Sequence, residues 1–333
     1  MSLTTVFVSG PGSVVARRSR RLEVRREGCD PVEIPVRETA AVVLVGPVQV
    51  TAQALALLFR RRIPVAFLSR QGRLRARLAP ALSRQAGVRL AQYRAAGDEQ
   101  ERLRLARPLV EAKIANCARL IAGYRKNYPA AELAAAQRQL AALARQAQQA
   151  GSPAELMGCE GAAAAVHFRA VAALNRSPMP FSARRMHPPP DPFNALLSLG
   201  YMLALGELMA LAEARGLDPY IGLLHATGGG RPALALDLLE PFRPALVDRL
   251  TLRLVNEGIL KPDDFESRPT AAGRPSARLK PEPLRRYLEQ YGLAVARPRQ
   301  PGGRSLREEM ARQVDRLARA LETDEAWTAF REL

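Results

Sequence analysis

Cysteine is scarce, with three in 333 residues: Cys29, Cys117 and Cys159. So few, so far apart, exclude a disulfide framework and a thiolate zinc site. Aromatic residues make up only 5% of the chain. No base-stacking platform of the kind single-strand binders use is evident. No stretch nears the ~18 uninterrupted apolar residues that a membrane span needs. The start, Met1 to Val8, lacks the basic-then-apolar pattern of a secretory leader. The expectation is a cytoplasmic chain with no membrane attachment. Gly228-Gly229-Gly230 is not followed by Lys-Ser/Thr, so there is no Walker loop. Neither a Gly-x-Ser-x-Gly elbow nor a His-Glu-x-x-His helix occurs, which leaves serine hydrolysis and that type of zinc protease unsupported.

Lysine is also nearly missing. Only Lys113, Lys126, Lys261 and Lys280 stand among the 50 bases, which face 32 acids for a net +18. The richness in Ala and the choice of Arg fit a GC-rich genome, which does not explain the excess over acids. That excess points to a polyanion, nucleic acid first. Residues 1–85 hold fifteen Arg, no Lys and five acids, a net of +10. Clusters include Arg17-Arg18-Ser19-Arg20-Arg21 and Arg60-Arg61-Arg62. Salt-sensitive phosphate contact is the expected mode.

Hydrophobic residues, at 47%, suffice for a core, and the length suggests two domains. The class expected is α+β: a small N-terminal β-rich domain over 1–84, then a larger all-α domain over 85–333. Arg21 to Arg25 and Val32 to Val36 alternate with period two, as half-buried strands do, across a turn at Gly28 to Pro31. Ala41 to Val45 and Ile63 to Leu68 read as short apolar strands. Thr51 is placed to cap a helix that ends in the three arginines, where the helix dipole favours positive charge. From about residue 84 the composition turns helical, with candidates over 106–123, 130–149, 194–215 and 306–333. Ser152-Pro153 with Glu155 reads as a capping box. The polar stretch 266–280 is expected to be a mobile loop.

The chemistry-bearing residues are few. His225 is one of three histidines and ends an apolar run at a Gly-rich loop. Asp237 and Glu240 interrupt another apolar stretch, where a carboxylate is costly unless paired or metal-bound. Three apart, they would share a helix face. Pro241 and Pro244 suit a first helical turn, so the pair is expected near a helix N-terminus. Glu160 lies among Gly158, Gly161 and a run of alanines, a setting that lets another helix pack close and bury the carboxylate. His167, two turns on, reads either as a metal partner of Glu160 or as a packed ring beside Phe168. Carboxylates with one imidazole suit Mg²⁺ or Mn²⁺, and such an ion beside excess basic charge describes phosphodiester chemistry. Two other readings stay open: a non-catalytic basic DNA-binding scaffold, and a metal hydrolase of a small phosphorylated substrate.

Several stretches, in order, resemble one family. They are Met157-Gly158-Cys159-Glu160-Gly161, Pro188-Pro189-Pro190-Asp191-Pro192-Phe193-Asn194, Gly216 through His225, and Leu236-Asp237-Leu238-Leu239-Glu240-Pro241-Phe242-Arg243-Pro244. Gly46 to Thr51, Ile63 to Leu68 and Lys113-Ile114-Ala115-Asn116 add weaker matches. Together they resemble the CRISPR-associated integrase and endonuclease that acquires spacers, the first of the universal CRISPR-associated adaptation proteins. The resemblance covers about residues 4–265 and fits poorly beyond. It implies a metal site carried onto Glu160, His225 and Glu240, with Asp237 as a further acidic catalytic position. It implies a tyrosine near the site, carried onto Tyr201. Arg184, Arg185, Asn194, Arg231 and Arg243 are candidates, with Tyr201, for holding DNA. The implied partners are a protospacer duplex and the CRISPR repeat, a second copy in a homodimer, and the small ferredoxin-like second adaptation protein. The implied activity is insertion of short DNA fragments into a CRISPR array by transesterification.

Overall fold

The computed structural model describes residues 4–61, 63–69, 74–78, 85–128, 130–186, 188–267, 273–298, 300, 302–323 and 325–332. The chain divides into two compact units, one of Met1–Leu82 with Arg278–Ser305 and one of Ser83–Ala277 with Leu306–Leu333. The first is strand-rich and the second helical, as the composition implies. The division differs from a single break at 84/85, because 278–305 clusters with the strands.

Among the described residues, the first unit holds two four-stranded sheets. One pairs β1 (Thr4–Ser9), β5 (Thr39–Val45) and β7 (Val65–Leu68) in parallel, with β8 (Leu74–Leu78) antiparallel at its edge. The other runs β4 (Cys29–Ile34), β3 (Arg21–Arg26), β2 (Val14–Arg18), β6 (Gln49–Val50). β4 begins at Cys29, inside the expected turn, because Cys29 pairs across a register shift with Arg26. The core includes Val15, Leu22, Val42, Leu44, Leu58 and Val65, all at 0% exposure. α1 (Ala52–Arg60) is capped by Thr51, whose hydroxyl accepts from Ala54 N–H at 3.2 Å. Arg60 lies in its last turn and Arg61 caps it, while Arg62 lies outside the described residues. The cluster Arg17 to Arg21 forms a hairpin tip with Ser19 at φ 56. Arg18 and Arg21 both bond Glu33, at 3.2 and 2.7 Å. Part of the basic excess is therefore compensated locally.

In the second unit, α2 (Ala86–Gly97), α3 (Glu99–Arg125), α4 (Ala131–Gln149) and α5 (Pro153–Leu174) are followed by α6 (Pro192–Arg215), α7 (Ala233–Leu239) and α8 (Arg249–Asn256). A π-helical turn, Arg243–Asp248, leads into α8. α9 (Pro281–Ala296) belongs to the first unit, where it lies against β1, and α10 (Leu306–Thr323) to the second. α3 starts about two turns before the expected 106, because Asp98 caps it by accepting from the N–H groups of Gln100 and Glu101. It runs through Pro108. Ser152 caps α5, with Glu155 N–H on its hydroxyl at 3.2 Å, but the expected box closes one residue early, since the Glu155 carboxylate accepts from Gly151 N–H at 2.8 Å rather than from Ser152 N–H. α6 starts at Pro192 behind an Asp191 cap and stops at Gly216, whose φ of 97 suits glycine alone. α6 is long and apolar enough to cross a membrane, yet 56% of that window is buried within the unit. It is a core helix by packing.

One expectation fails, and another lies partly outside the described residues. The helix expected over 306–333 ends at Thr323, and 325–332 is a non-helical segment with Trp327 and Phe330 buried. The stretch 266–280 contains ends of two short strands, Phe265–Ser267 and Ala277–Leu279, while its middle, 268–272, lies outside the described residues.

Candidate functional site

α5, α3 and the turn after α7 converge on one lysine. Lys113 of α3 is buried, and its ammonium bonds both Glu160 of α5 and Glu240, the latter at 2.5 Å. Burial favours a neutral amine, and Glu240 and Glu160 outweigh it, so the Lys113 pKa rises. Glu240 is buried too and also accepts from Arg243 Nε at 3.0 Å. Burial pushes its carboxyl up, but Arg243 and Lys113 together hold it down at about 2. Two carboxylates that share one buried ammonium are the centre of the site.

Asp237 and Glu240 do not sit at a helix N-terminus. Asp237 is in the last turn of α7 and Glu240 is its C-cap. Pro241 and Pro244 instead follow the helix, and Pro244 occupies the first turn of the π-helical segment, where its missing N–H costs nothing. The two carboxylates diverge. Asp237 is fully buried and turned toward the loop before α7. Its Oδ2 accepts from Leu223 and Leu224 N–H at 2.7 and 2.9 Å, and its Oδ1 from His225 N–H at 3.0 Å. Oδ1 also lies 2.6 Å from His225 Nδ1. Every acceptor direction of Asp237, expected as a catalytic residue, is used by this loop and by the His225 ring. The Asp237 bond, against burial, raises the His225 pKa, and Glu240 and Glu160 act on the ring in the same direction. With Nδ1 on Asp237, Nε2 is the ring atom left to bind; the ring is 31% exposed.

The His225 loop is braced from behind. Gln92 on α2 is buried and reads the backbone: its Nε2 donates to Asp218 and Ile221 carbonyls at 2.8 Å each, and its Oε1 accepts from Asp218 N–H at 2.8 Å. Arg102 Nε donates to the Leu223 carbonyl at 3.0 Å. A Cβ on Gly222 would stand 2.6 Å from the His225 carbonyl oxygen and 2.7 Å from Ala233 Cβ, so only glycine fits. Past His225, 226–231 is exposed.

On the other side of Glu240, Arg243 lies over the Tyr201 ring, 4.6 Å from its centroid, and Arg184 lies 5.2 Å from it. The Tyr201 hydroxyl donates to Asp248, and His167 Nε2 lies 2.7 Å from the other Asp248 oxygen. Burial raises the Tyr201 pKa. His167 is therefore not with Glu160; it is a buried partner of Asp248, edge-on to Phe168. Tyr201 and Asn194 do not fit the expectation that they touch DNA. Asn194 is fully buried and holds the 183–185 turn, accepting from Arg184 Nη1 and Arg185 N–H and donating to Ala183 and Asp191. Arg184 and Arg243 are half-buried, whereas Arg185 and Arg231 are exposed.

Two carboxylates and one imidazole nitrogen form a hard donor set suited to Mg²⁺ or Mn²⁺. Among the described residues, no three His, Cys, Asp or Glu side chains stand close enough to hold a metal as they are. The Lys113 ammonium lies between the two carboxylates instead, so the pair already takes up a cation. Sequence reasoning missed Lys113, Gln92, Arg102 and Asp248.

The family described as CRISPR associated protein Cas1 matches residues 6–292. The chain belongs to the Cas1 family. A Cas4 exonuclease/Cas1 endonuclease fusion of Rhodospirillum rubrum is 40% identical over 266 residues, 77% of this chain. The match spans only 45% of that longer protein. A CRISPR-associated endonuclease Cas1 of the same organism is 33% identical over 79% of both chains. Among solved structures, a CAS1 protein from Thermotoga maritima matches with a TM-score of 0.80 at 25% identity, over 98% of this chain and 100% of that one. A chain of a Cas6-RT-Cas1–Cas2 complex matches at 0.81 and 24% identity, covering 100% of this chain and 36% of that one. A casposase bound to integration product matches at 0.80 and 22%, covering 100% and 94%. These last two bear on the fold alone.

Proposed function

We propose that this Cas1-family chain is a divalent-metal-dependent DNA endonuclease and integrase that inserts short DNA fragments into a CRISPR array. The observation that carries the reading is the convergence of Glu160 and Glu240 on one buried cation beside a half-exposed His225 held by Asp237. Glu160, Glu240 and His225 Nε2 are the residues that would hold Mg²⁺ or Mn²⁺. Such an ion, when bound, polarises the target phosphate and stabilises charge on the attacking and leaving oxygens.

The chain's own groups supply the rest. Asp237 fixes the ring so that Nδ1 faces the protein and Nε2 the site. Arg243 holds Glu240 ionised and, with Arg184, brings positive charge to the place where phosphate charge must be met. Arg185 and Arg231, exposed beside these elements, suit backbone contact. We further propose as partners a second copy in a homodimer and the small ferredoxin-like second adaptation protein.

The test is a strand-cleavage and strand-transfer assay with the purified chain, on duplex and repeat-containing DNA, with Mn²⁺, Mg²⁺ or chelator. Metal-dependent products that His225→Ala and Glu240→Gln abolish are expected. Products that persist in chelator, or in both variants, would overturn the assignment. DNA binding without any product would favour the scaffold reading.

A further inference from the structure

The segment 325–332 follows α10, beyond the residues that match the family. Two buried side chains and a ring contact tie it to the turn that carries Glu240. Gln313 of α10 and Asn116 of α3 are buried primary amides, and each bridges the two segments. The Gln313 Oε1 accepts from Phe330 N–H at 2.9 Å while its Nε2 donates to the Leu238 carbonyl at 2.7 Å. The Asn116 Oδ1 accepts from Glu332 N–H at 2.8 Å while its Nδ2 donates to the carbonyls of Pro241, at 2.8 Å, and Phe330, at 3.1 Å. The two bridges grip the backbone on either side of Glu240. Between them the Phe330 ring lies flat on Phe242, with centroids 4.8 Å apart and planes 2° from parallel.

The local chain needs that grip. Pro241 and Pro244 carry no N–H, so the helical ladder is interrupted where Glu240 must be held. Asn116 also lies one turn from Lys113 on α3. The helix that fixes the segment thus also supplies the cation for Glu240. Further ties hold the segment down: Arg249 to Glu332 and Arg331 to Glu111, each at 2.7 Å.

We propose that residues 325–332 form a positioning strap, which presents Glu240 to the site through the Phe330–Phe242 stack and the Asn116 and Gln313 bridges. The inference rests on the nuclease reading for its effect on turnover, but the strap's hold on the turn can be measured without it. Phe330→Ala in the full chain removes the stack; Phe330→Leu keeps most of the buried volume and loses the flat contact. For each, amide hydrogen exchange at 238–243, metal-free affinity for duplex DNA and Mn²⁺-dependent turnover are read. Faster exchange at that turn, DNA affinity within about twofold and turnover lower by about 10- to 100-fold are expected, since a small misplacement of a reacting-site group costs that much. Unchanged exchange at 238–243 in a folded variant overturns the strap. So does an equal loss of binding and turnover, or failure of both variants to fold, since either makes Phe330 a support of the whole unit. If the unmodified chain gives no metal-dependent product, the nuclease reading fails, and the exchange result still decides the strap.

Discussion

Asp237→Asn is the sharpest test of how the site is built. The substitution keeps the size of the side chain and exchanges one oxygen for an NH₂ group. Four donors surround the carboxylate in pairs: Leu223 and Leu224 N–H on Oδ2, His225 N–H and Nδ1 on Oδ1. The asparagine oxygen can serve one pair. The other pair then faces an amide that only donates, in a place with no exposure to water. Each buried donor left without an acceptor costs about 1–3 kcal/mol, so the loss is on the order of 2–6 kcal/mol. At roughly 2–4 °C per kcal/mol for a unit of this size, melting should fall by about 5–20 °C. Below the new transition the chain still folds, and His225 is no longer held in one orientation. Turnover should then fall by about 10²-fold, the cost of a misplaced group, while DNA affinity stays within about twofold because Asp237 reaches no surface. Thermal unfolding, single-turnover cleavage and metal-free DNA binding check the three parts. A variant that melts within a degree of the parent and turns over normally would refute the view that Asp237 works by holding the loop.

Lys113→Met leaves Glu160 and Glu240 without their shared cation. Breaking such a buried pair costs about 3–5 kcal/mol, and Mn²⁺ should raise the melting temperature of the variant more than that of the parent; equal responses would show that lysine and metal do not share the carboxylates. Gly222→Ala forces a Cβ to 2.6 Å from the His225 carbonyl oxygen. Backbone cannot swing aside as a side chain can, so a loss of about 1–3 kcal/mol is expected in urea unfolding, with cleavage lost. His167 gives a pH signature: burial lowers its pKa, and Cys117 and Asp248 outweigh this, raising it from 6.5 to about 10. A raised pKa on a base stabilises fully below about 6.5, and that stability is lost as pH climbs through 10, at up to about 1.4 kcal/mol per pH unit. Denaturant unfolding across pH 6–10 should show that slope, and His167→Gln should flatten it.

The local elements were largely legible because their signals are local. Thr51 and Ser152 cap the helices they precede, and period-two alternation found β3. The prolines at 241 and 244 misled, since their fixed geometry suits a first turn but says nothing of what comes before it. Here α7 ends just ahead of them. The segment after Thr323 has helical composition, yet Phe330 and Trp327 are held by tertiary burial, which overrides propensity. Glu160, His225 and Glu240 stood out as polar residues in apolar stretches. Lys113 did not, because its partners lie 47 and 127 residues away. Beyond the weak match of Lys113 to Asn116, its signal was chemical: a lysine kept within a helix, in a chain where lysine supplies only four of fifty bases.

The charges around the site, buried or partly buried, alternate in sign. Glu160, Lys113, Glu240 and Arg243 are linked by ion pairs, Arg243 stacks on Tyr201, and Tyr201 and His167 flank Asp248. Unpaired, each buried ion would cost several kcal/mol. The three carboxylates Glu160, Glu240 and Asp248 are matched by Lys113, Arg243 and a protonated His167, so the cluster is neutral before any ligand arrives. Asp237 lies outside this balance, because backbone N–H groups solvate it. A divalent ion taken up by Glu160 and Glu240 would leave the cluster positive, with Arg184 half-buried beside it and Arg185 and Arg231 exposed. A phosphodiester oxygen is the anion that such a surplus selects. On the function proposed above, the large net charge would draw DNA in a general way, whereas the balanced cluster would make the metal and the DNA phosphate each favour the other's presence at one place.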